Sequence, residues 1–149
     1  MKGATVAVAM SGGVDSSVAA ALLVEQGFQV FGVMLRLWSE PGKEESNRCC
    51  TPDAMAQARR VAAQLKIPFY AVNAQEIFRQ VVVEHFFEGY RIGITPNPCL
   101  LCNRFIRWDY LLKHAQAMGA EKMATGHYAR LRVASNGFVK LLKGLDENK

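Results

Sequence analysis

The chain has no apolar run long enough to cross a membrane. No stretch of its 149 residues reaches the roughly 18 uninterrupted apolar side chains that a helical span needs. Only two residues precede Gly3, which leaves no room for a charged and apolar leader, so no signal peptide is expected. Cysteine is scarce: Cys49, Cys50, Cys99 and Cys102 are the four. Without a secretion signal they point to a reducing, cytoplasmic setting, and to chemistry or metal rather than disulfides. Disorder is excluded by the 50% of residues that are hydrophobic. A chain of this size folds as one domain around a real core.

Lysine is missing where a phosphate loop of the Walker type needs it. Residues 5–27, TVAVAMSGGVDSSVAAALLVEQG, read as strand, glycine turn and helix. The apolar run 5–10, rich in Val and Ala, suits a buried strand. Ser11, Gly12 and Gly13 break it; glycine admits positive φ and lets a ligand approach bare backbone. Helical spacing follows from Val14 to Gln26, with Val14, Val18, Leu22 and Leu23 falling on one side and Gly27 closing the helix. A helix that starts on a glycine turn presents N–H groups to an anion. With no lysine in the turn, phosphoryl transfer of the Walker kind is disfavoured. Asp15 would stand among phosphate oxygens, a repulsive position unless a cation intervenes, which implies Mg²⁺. The plainer alternative is a simple strand-to-helix turn, with Asp15 and the serines as helix-start residues.

Charge is placed unevenly. Residues 1–99 hold nine Lys/Arg and nine Asp/Glu, whereas residues 100–149 hold nine Lys/Arg against four acids. The whole net charge of +5 therefore sits in the last third, which fits a polyanionic partner or a merely solvated basic face.

Further strands are expected at 29–38 (QVFGVMLRLW), 67–73 (IPFYAVN) and 122–125. Residues 39–48 (SEPGKEESNR) read as a loop, and Cys49 and Cys50 as small packing residues entering a helix. Thr51 and Pro52 open that helix as cap and first residue, with Ala54, Ala58, Val61, Ala62 and Leu65 on its inner stripe. Residues 75–90 are helical, with Ile77, Phe78, Val81, Val82 and Phe86 inward. His85 reads as a packing or surface residue and His114 as a helix-surface residue. Residues 128–133 and 138–142 pair through Ser135-Asn136-Gly137 as a hairpin bearing Arg130, Arg132, Lys140 and Lys143. Alternating strands and helices predict an α/β fold: a Rossmann-like parallel sheet with helices on both faces and a C-terminal hairpin. Ligands of such sheets sit beyond the carboxyl ends of the strands, where the glycine turn lies.

The segment 93–108, GITPNPCLLCNRFIRW, carries the other chemistry. Two prolines stiffen its start, and Pro98 suits the first position of a helix whose apolar side includes Phe105, Trp108 and Leu112. Cys99 and Cys102 then fall in the first turn and are expected on one side. The helix dipole, with Arg104 and Arg107 nearby in sequence, favours thiolate there. Three uses of C-x-x-C stay open: half a zinc site lacking its other pair, a redox couple, or sulfur chemistry at a nucleophilic or cluster-binding cysteine.

The string SGGVDSS, in its place between strand and helix, resembles the pyrophosphate loop of the ATP pyrophosphatases. Together with TPNPxxxCN, ATGHYARL and LLKGLDENK, in that order and spacing, it makes essentially the whole chain similar to the tRNA-specific 2-thiouridylases. The resemblance implies ATP-dependent thiolation of a wobble uridine in tRNA. The uridine C2 oxygen is adenylated, pyrophosphate leaves, and a cysteine persulfide delivers sulfur as AMP departs. It further implies that Ala9, Met10, Ser11, Gly12, Gly13, Val14, Asp15 and Ser16 hold ATP, with Leu35 and Gly126 as further contacts. Cys102 is then the nucleophile, Asn97, Pro98 and Cys99 meet the target base, and His127 and Lys149 touch tRNA. The alternative for His127 is packing at a strand end; beside a nucleotide loop a phosphate or base contact is favoured.

Two departures qualify the resemblance. Many such enzymes carry aspartate where this chain has Cys99, and the C-x-x-C variant resembles a subgroup proposed to hold a [4Fe–4S] cluster, making Cys99 and Cys102 candidate ligands. The resemblance also implies a central and a C-terminal tRNA-binding domain not found within residues 1–149, and a persulfide-donor protein as partner. Residues 1–149 are thus expected to be the pyrophosphate-loop domain, binding ATP without completing thiolation. Another ATP pyrophosphatase ligase would share SGGVDSS without needing Cys102, and a non-catalytic nucleotide- or RNA-binding module would keep the loop alone.

Overall fold

The computed structural model describes residues 3–38, 42 and 51–146. The loop expected at 39–48, the pair Cys49-Cys50 and Lys149 lie outside the described residues.

Four strands, β1 (Thr5–Ala9), β2 (Gln29–Arg36), β3 (Phe69–Asn73) and β4 (Lys122–Ala124), form a parallel sheet in the order β3-β2-β1-β4. Ala7 lies opposite both Phe31 and Met123, which centres β1 between β2 and β4. Strand alternation divides the core. Val8, Met10, Val30 and Met34 face one side, where helix α1 (Val14–Glu25) supplies Ala20 and α2 (Pro52–Gln64) supplies Ala58 and Ala62. Ala7, Phe31, Val33 and Val72 face the other, against Leu111 and Ala115. Helices therefore cover both faces, as the strand-helix alternation predicts. Thr51 caps α2 as its sequence suggests, its Oγ1 accepting from the Ala54 N–H at 3.1 Å.

Two long helices follow β3. Helix α3 spans 75–91 and α4 spans 98–117, and each contains π-helical backbone: Arg79–Val83 in the first and Cys102–Tyr110 in the second. A third cluster, Leu37, Ala74, Val82, Cys102 and Ile106, joins them beyond the carboxyl end of β2. The chain then returns to β4 and ends in an antiparallel hairpin, β5 (Ala129–Val133) with β6 (Val139–Lys143). Its register places Leu131, Leu141, Val133 and Val139 on one face and Arg130, Arg132 and Lys140 on the other, all exposed. Among the described residues no helix is long and apolar enough to cross a membrane.

Two inner faces differ from those the sequence predicts. On α1, Val14 is 77% exposed and Val18 and Leu22 are also exposed, while Ser16 and Ala20 are buried and Leu23 and Val24 pack partly. This helix is apolar nearly all round, so spacing does not select a face, and the small Ser16 and Ala20 permit the closest approach to the sheet. On α4, Phe105 and Trp108 are exposed, and the buried residues are Cys102, Ile106, Leu111 and Ala115. Their spacing of four, five and four residues follows the wider π winding rather than the ordinary helical period. His114, expected at the surface, is half-buried and its Nδ1–H donates to the Tyr110 carbonyl oxygen at 2.9 Å.

The winding of α4 has a direct check. Ile106→Ala, at a fully buried site, should cost about 2–5 kcal/mol in urea unfolding, whereas Phe105→Ala should cost less than about 1 kcal/mol. The reverse order would restore the inner face with Phe105.

Candidate nucleotide site and its neighbouring cysteines

The turn after β1 is built from backbone and serine. Gly12 has φ +78, and a Cβ there would stand 2.4 Å from the Ala54 carbonyl oxygen, so only glycine fits between the turn and the start of α2. The buried Ser16 hydroxyl accepts from the Ser11 N–H at 3.2 Å and donates to the Gly13 carbonyl at 3.1 Å. Ser17 also donates to that carbonyl, at 2.8 Å. No side chain caps α1, so the N-terminal pole of its dipole faces the turn without a capping side chain.

Strand order sets what lies beside this turn. The chain runs outward from β1 to β3 and then returns to β4 on the other side of β1, which makes the β1–β4 boundary the switch point. Thr125, Gly126 and His127 follow β4 there. A Cβ on Gly126 would meet the Asp15 carbonyl carbon and the Ser16 nitrogen at 2.7 Å, so the two segments touch backbone to backbone. Tyr128 adds a cross-link, its hydroxyl donating to Asp15 Oδ1 at 2.9 Å. His127 is held on two sides: its Nδ1 pairs with Thr125 Oγ1 at 2.7 Å, and its ring stacks on Trp108 at 6.0 Å with planes 28° apart. Nε2 is the ring nitrogen left for a ligand.

Between these segments is a cavity of about 280 Å³. Ala9, Met10, Ser11, Asp15 and Ser16 line one wall, Met34 and Leu35 the β2 end, and Gly126 and His127 the β4 end. The structure thus gathers most of the residues expected to hold nucleotide. Gly12, Gly13 and Val14 shape the turn without lining the cavity. The opposite wall is α4, through Asn103, Arg107, Trp108 and Leu111. Asn103, Trp108 and Thr125 are not singled out as site residues by the sequence, and Arg107 only as a neighbour of the cysteines. The signal for Asn103 and Arg107 is a polar pair four apart directly after Cys102. An oxygen-rich wall of Asp15 and two serines has the donor chemistry for Mg²⁺ beside a polyphosphate.

The cysteines differ in access to solvent. Cys99 is exposed, whereas Cys102 is 7% exposed and packs with Leu37, Ala74, Val82 and Ile106. Positions three apart on a helix differ by about 60°, and the edge of the core falls between these two. Cys102 does not line the cavity, although Leu37 beside it and Asn103 after it both do. Asn97 caps α4, its Oδ1 accepting from the Leu100 N–H at 3.3 Å, and Pro98 takes the first helical position. Asn97 and Pro98 thus adjoin the cysteines and not the cavity. Arg104 lies over the Phe105 ring at 5.1 Å. Among the described residues no group of three or more His, Cys, Asp or Glu is placed to hold a metal.

Residues 4–149 match the family described as the tRNA methyl transferase HUP domain. The chain belongs to that family. Relatives of this HUP domain include the tRNA-specific 2-thiouridylase MnmA of Geotalea uraniireducens, 49% identical over 97% of this chain and 40% of the relative. Proteins of the same name from Magnetococcus marinus and Chloroflexus aurantiacus are each 51% identical, over 97% and 98% of this chain and 41% of each relative. The chain spans about two fifths of the length of these relatives. Solved structures share its fold at lower identity. The glutamine-dependent NAD+ synthetase of Acinetobacter baumannii, in complex with adenosine diphosphate, superposes with TM-score 0.54 at 18% identity over 81% of this chain and 21% of that one. A predicted subunit of tRNA methyltransferase from Methanocaldococcus jannaschii superposes with TM-score 0.52 at 17% identity over 83% and 53%.

Bare backbone at Gly126 is a testable requirement. Gly126→Ala should displace Asp15 and Ser16 and weaken ATP binding by roughly tenfold to a hundredfold in calorimetric titration. Gly12→Ala should in addition destabilise the fold by more than about 1 kcal/mol, because the site holds positive φ.

Proposed function

We propose that this HUP domain binds ATP and serves as the adenylating and sulfur-inserting domain of a tRNA-uridine 2-sulfurtransferase. The observation that carries the reading is the cavity at the switch point, walled by the SGGVDSS turn on one side and by the Cys102-Asn103 helix on the other. The names of the relatives support the same chemistry. The polyphosphate lies on the turn and the N-terminus of α1, with Mg²⁺ beside Asp15, and adenine lies toward Met34 and Leu35. The C2 oxygen of the target uridine attacks the α-phosphorus and pyrophosphate leaves. Sulfur then attacks C2, and AMP departs with the original oxygen. Each step uses the helix pole and loop N–H groups to stabilise charge that grows on phosphate oxygens.

Cys102 is the residue proposed to deliver sulfur: it takes a persulfide from a partner protein, its terminal sulfur attacks C2 as AMP departs, and a second thiol then cleaves the S–S bond, forming a disulfide with Cys102 and leaving 2-thiouridine. Its thiol is only 7% exposed and must be uncovered first, and Leu37 belongs both to the buried cluster that holds Cys102 and to the cavity lining. No step is assigned to an iron–sulfur cluster. His127, oriented by Thr125 and Trp108, and the exposed hairpin residues Arg130, Arg132 and Lys140 are the proposed tRNA contacts, with Asn97, Pro98 and Cys99 beside the base and Lys149 further along.

The burial of Cys102 gives a specific basis for a second reading, a nucleotide-binding module without sulfur transfer. Four measurements test the reading, and pyrophosphate exchange separates the two. The chain should bind ATP in calorimetry, and a chain that does not overturns the reading. Cys102→Ser should leave that affinity within about twofold, since the thiol does not line the cavity. Pyrophosphate exchange into ATP that depends on unmodified tRNA supports adenylation, and binding without exchange supports the module. Mass spectrometry of tRNA incubated with the 149-residue chain, ATP and a persulfide donor should show no 2-thiouridine, because the chain spans only part of its relatives' length.

A further inference from the structure

We propose that Arg107 is a direct ligand of the polyphosphate, gripping it from the wall opposite the glycine turn. The inference rests on the reading of the cavity as an ATP site and adds a residue to it. Phosphate loops of the Walker type carry their own lysine, and this turn has none. The turn offers backbone N–H groups and a helix pole worth about half an elementary charge. Asp15 on the same wall adds a negative charge. A polyphosphate carries several negative charges, so backbone alone leaves it poorly compensated.

Arg107 is positioned to supply the missing cation. It lines the cavity together with Ser11, Asp15 and Ser16, and it is half-buried. Among the described residues no carboxylate pairs with it, and Asp109, the nearest acid in sequence, takes Lys113 at 2.9 Å. Partial burial of an unpaired guanidinium is unfavourable unless a ligand brings the counter-charge. The π winding of Cys102–Tyr110 sends Asn103, Arg107 and Trp108 all to the cavity side. Five donors in a planar fork suit two oxygens of a phosphate better than a lysine would.

The experiment is calorimetric titration of the 149-residue chain and its variants with Mg²⁺-ATP and with adenosine. Arg107→Gln should weaken ATP binding by about 10- to 100-fold while adenosine binding and the thermal midpoint stay unchanged. Arg107→Lys should fall between, keeping charge without the fork. Equal ATP affinity in wild type and Arg107→Gln overturns the assignment, as does equal loss of ATP and adenosine, which marks a structural role. Failure of the wild-type chain to bind ATP overturns the reading of the cavity itself. Should Arg107→Gln not fold, Arg107→Lys decides, and unchanged ATP affinity in that variant overturns the fork contact.

Discussion

Two contacts between bare backbones fix the glycine turn. Gly12 presses against the Ala54 carbonyl at the start of α2, and Gly126 presses against Asp15 and Ser16 at the start of α1. The turn is thereby held between elements from distant parts of the sequence, with no side chain between them to deform. The close packing of the turn depends on that grip. The Ser16 hydroxyl reaches both Ser11 and Gly13 only because the turn doubles back tightly, and α1 begins at the cavity rather than short of it.

The second wall follows from topology. Because β4 inserts beside β1 after the chain has crossed to β3, helix α4 must pass back over the carboxyl ends of the strands. Leu111 and Ala115 anchor it on the sheet, and the turns before them lean over the cavity. One end of α4 therefore carries the cysteines beside Leu37 and the middle carries Trp108 against His127. A nucleotide in the cavity would touch three separate segments, and its binding would tie them together.

The strands, the strand-helix alternation, the hairpin and the glycine turn were all legible in the sequence, because each rests on local signals: apolar runs, turn residues and a distinctive string. The Ala58 and Ala62 stripe of α2 was legible because that helix is polar on its other side. The inner face of α1 was not, since its outer residues Val14, Val18 and Leu22 are as apolar as its inner ones. The inner face of α4 was hidden by its π winding, which no propensity announces and which moves burial from Phe105 and Trp108 to Ile106 and Leu111. The half of the cavity formed by the SGGVDSS turn was readable as a motif. Its α4 half was not, because Asn103, Arg107 and Trp108 become neighbours of Ser11 only once the sheet order is known.

The hairpin has a consequence for behaviour in solution. Its basic side repels other copies of the molecule at low ionic strength, and salt screens that repulsion over about 10 Å or less at ordinary concentrations. Its other side, with Leu131, Leu141, Val133 and Val139 all more than 60% exposed, attracts apolar surfaces regardless of salt. The hairpin thus sets two opposed tendencies on its two faces, and added salt weakens only the repulsive one.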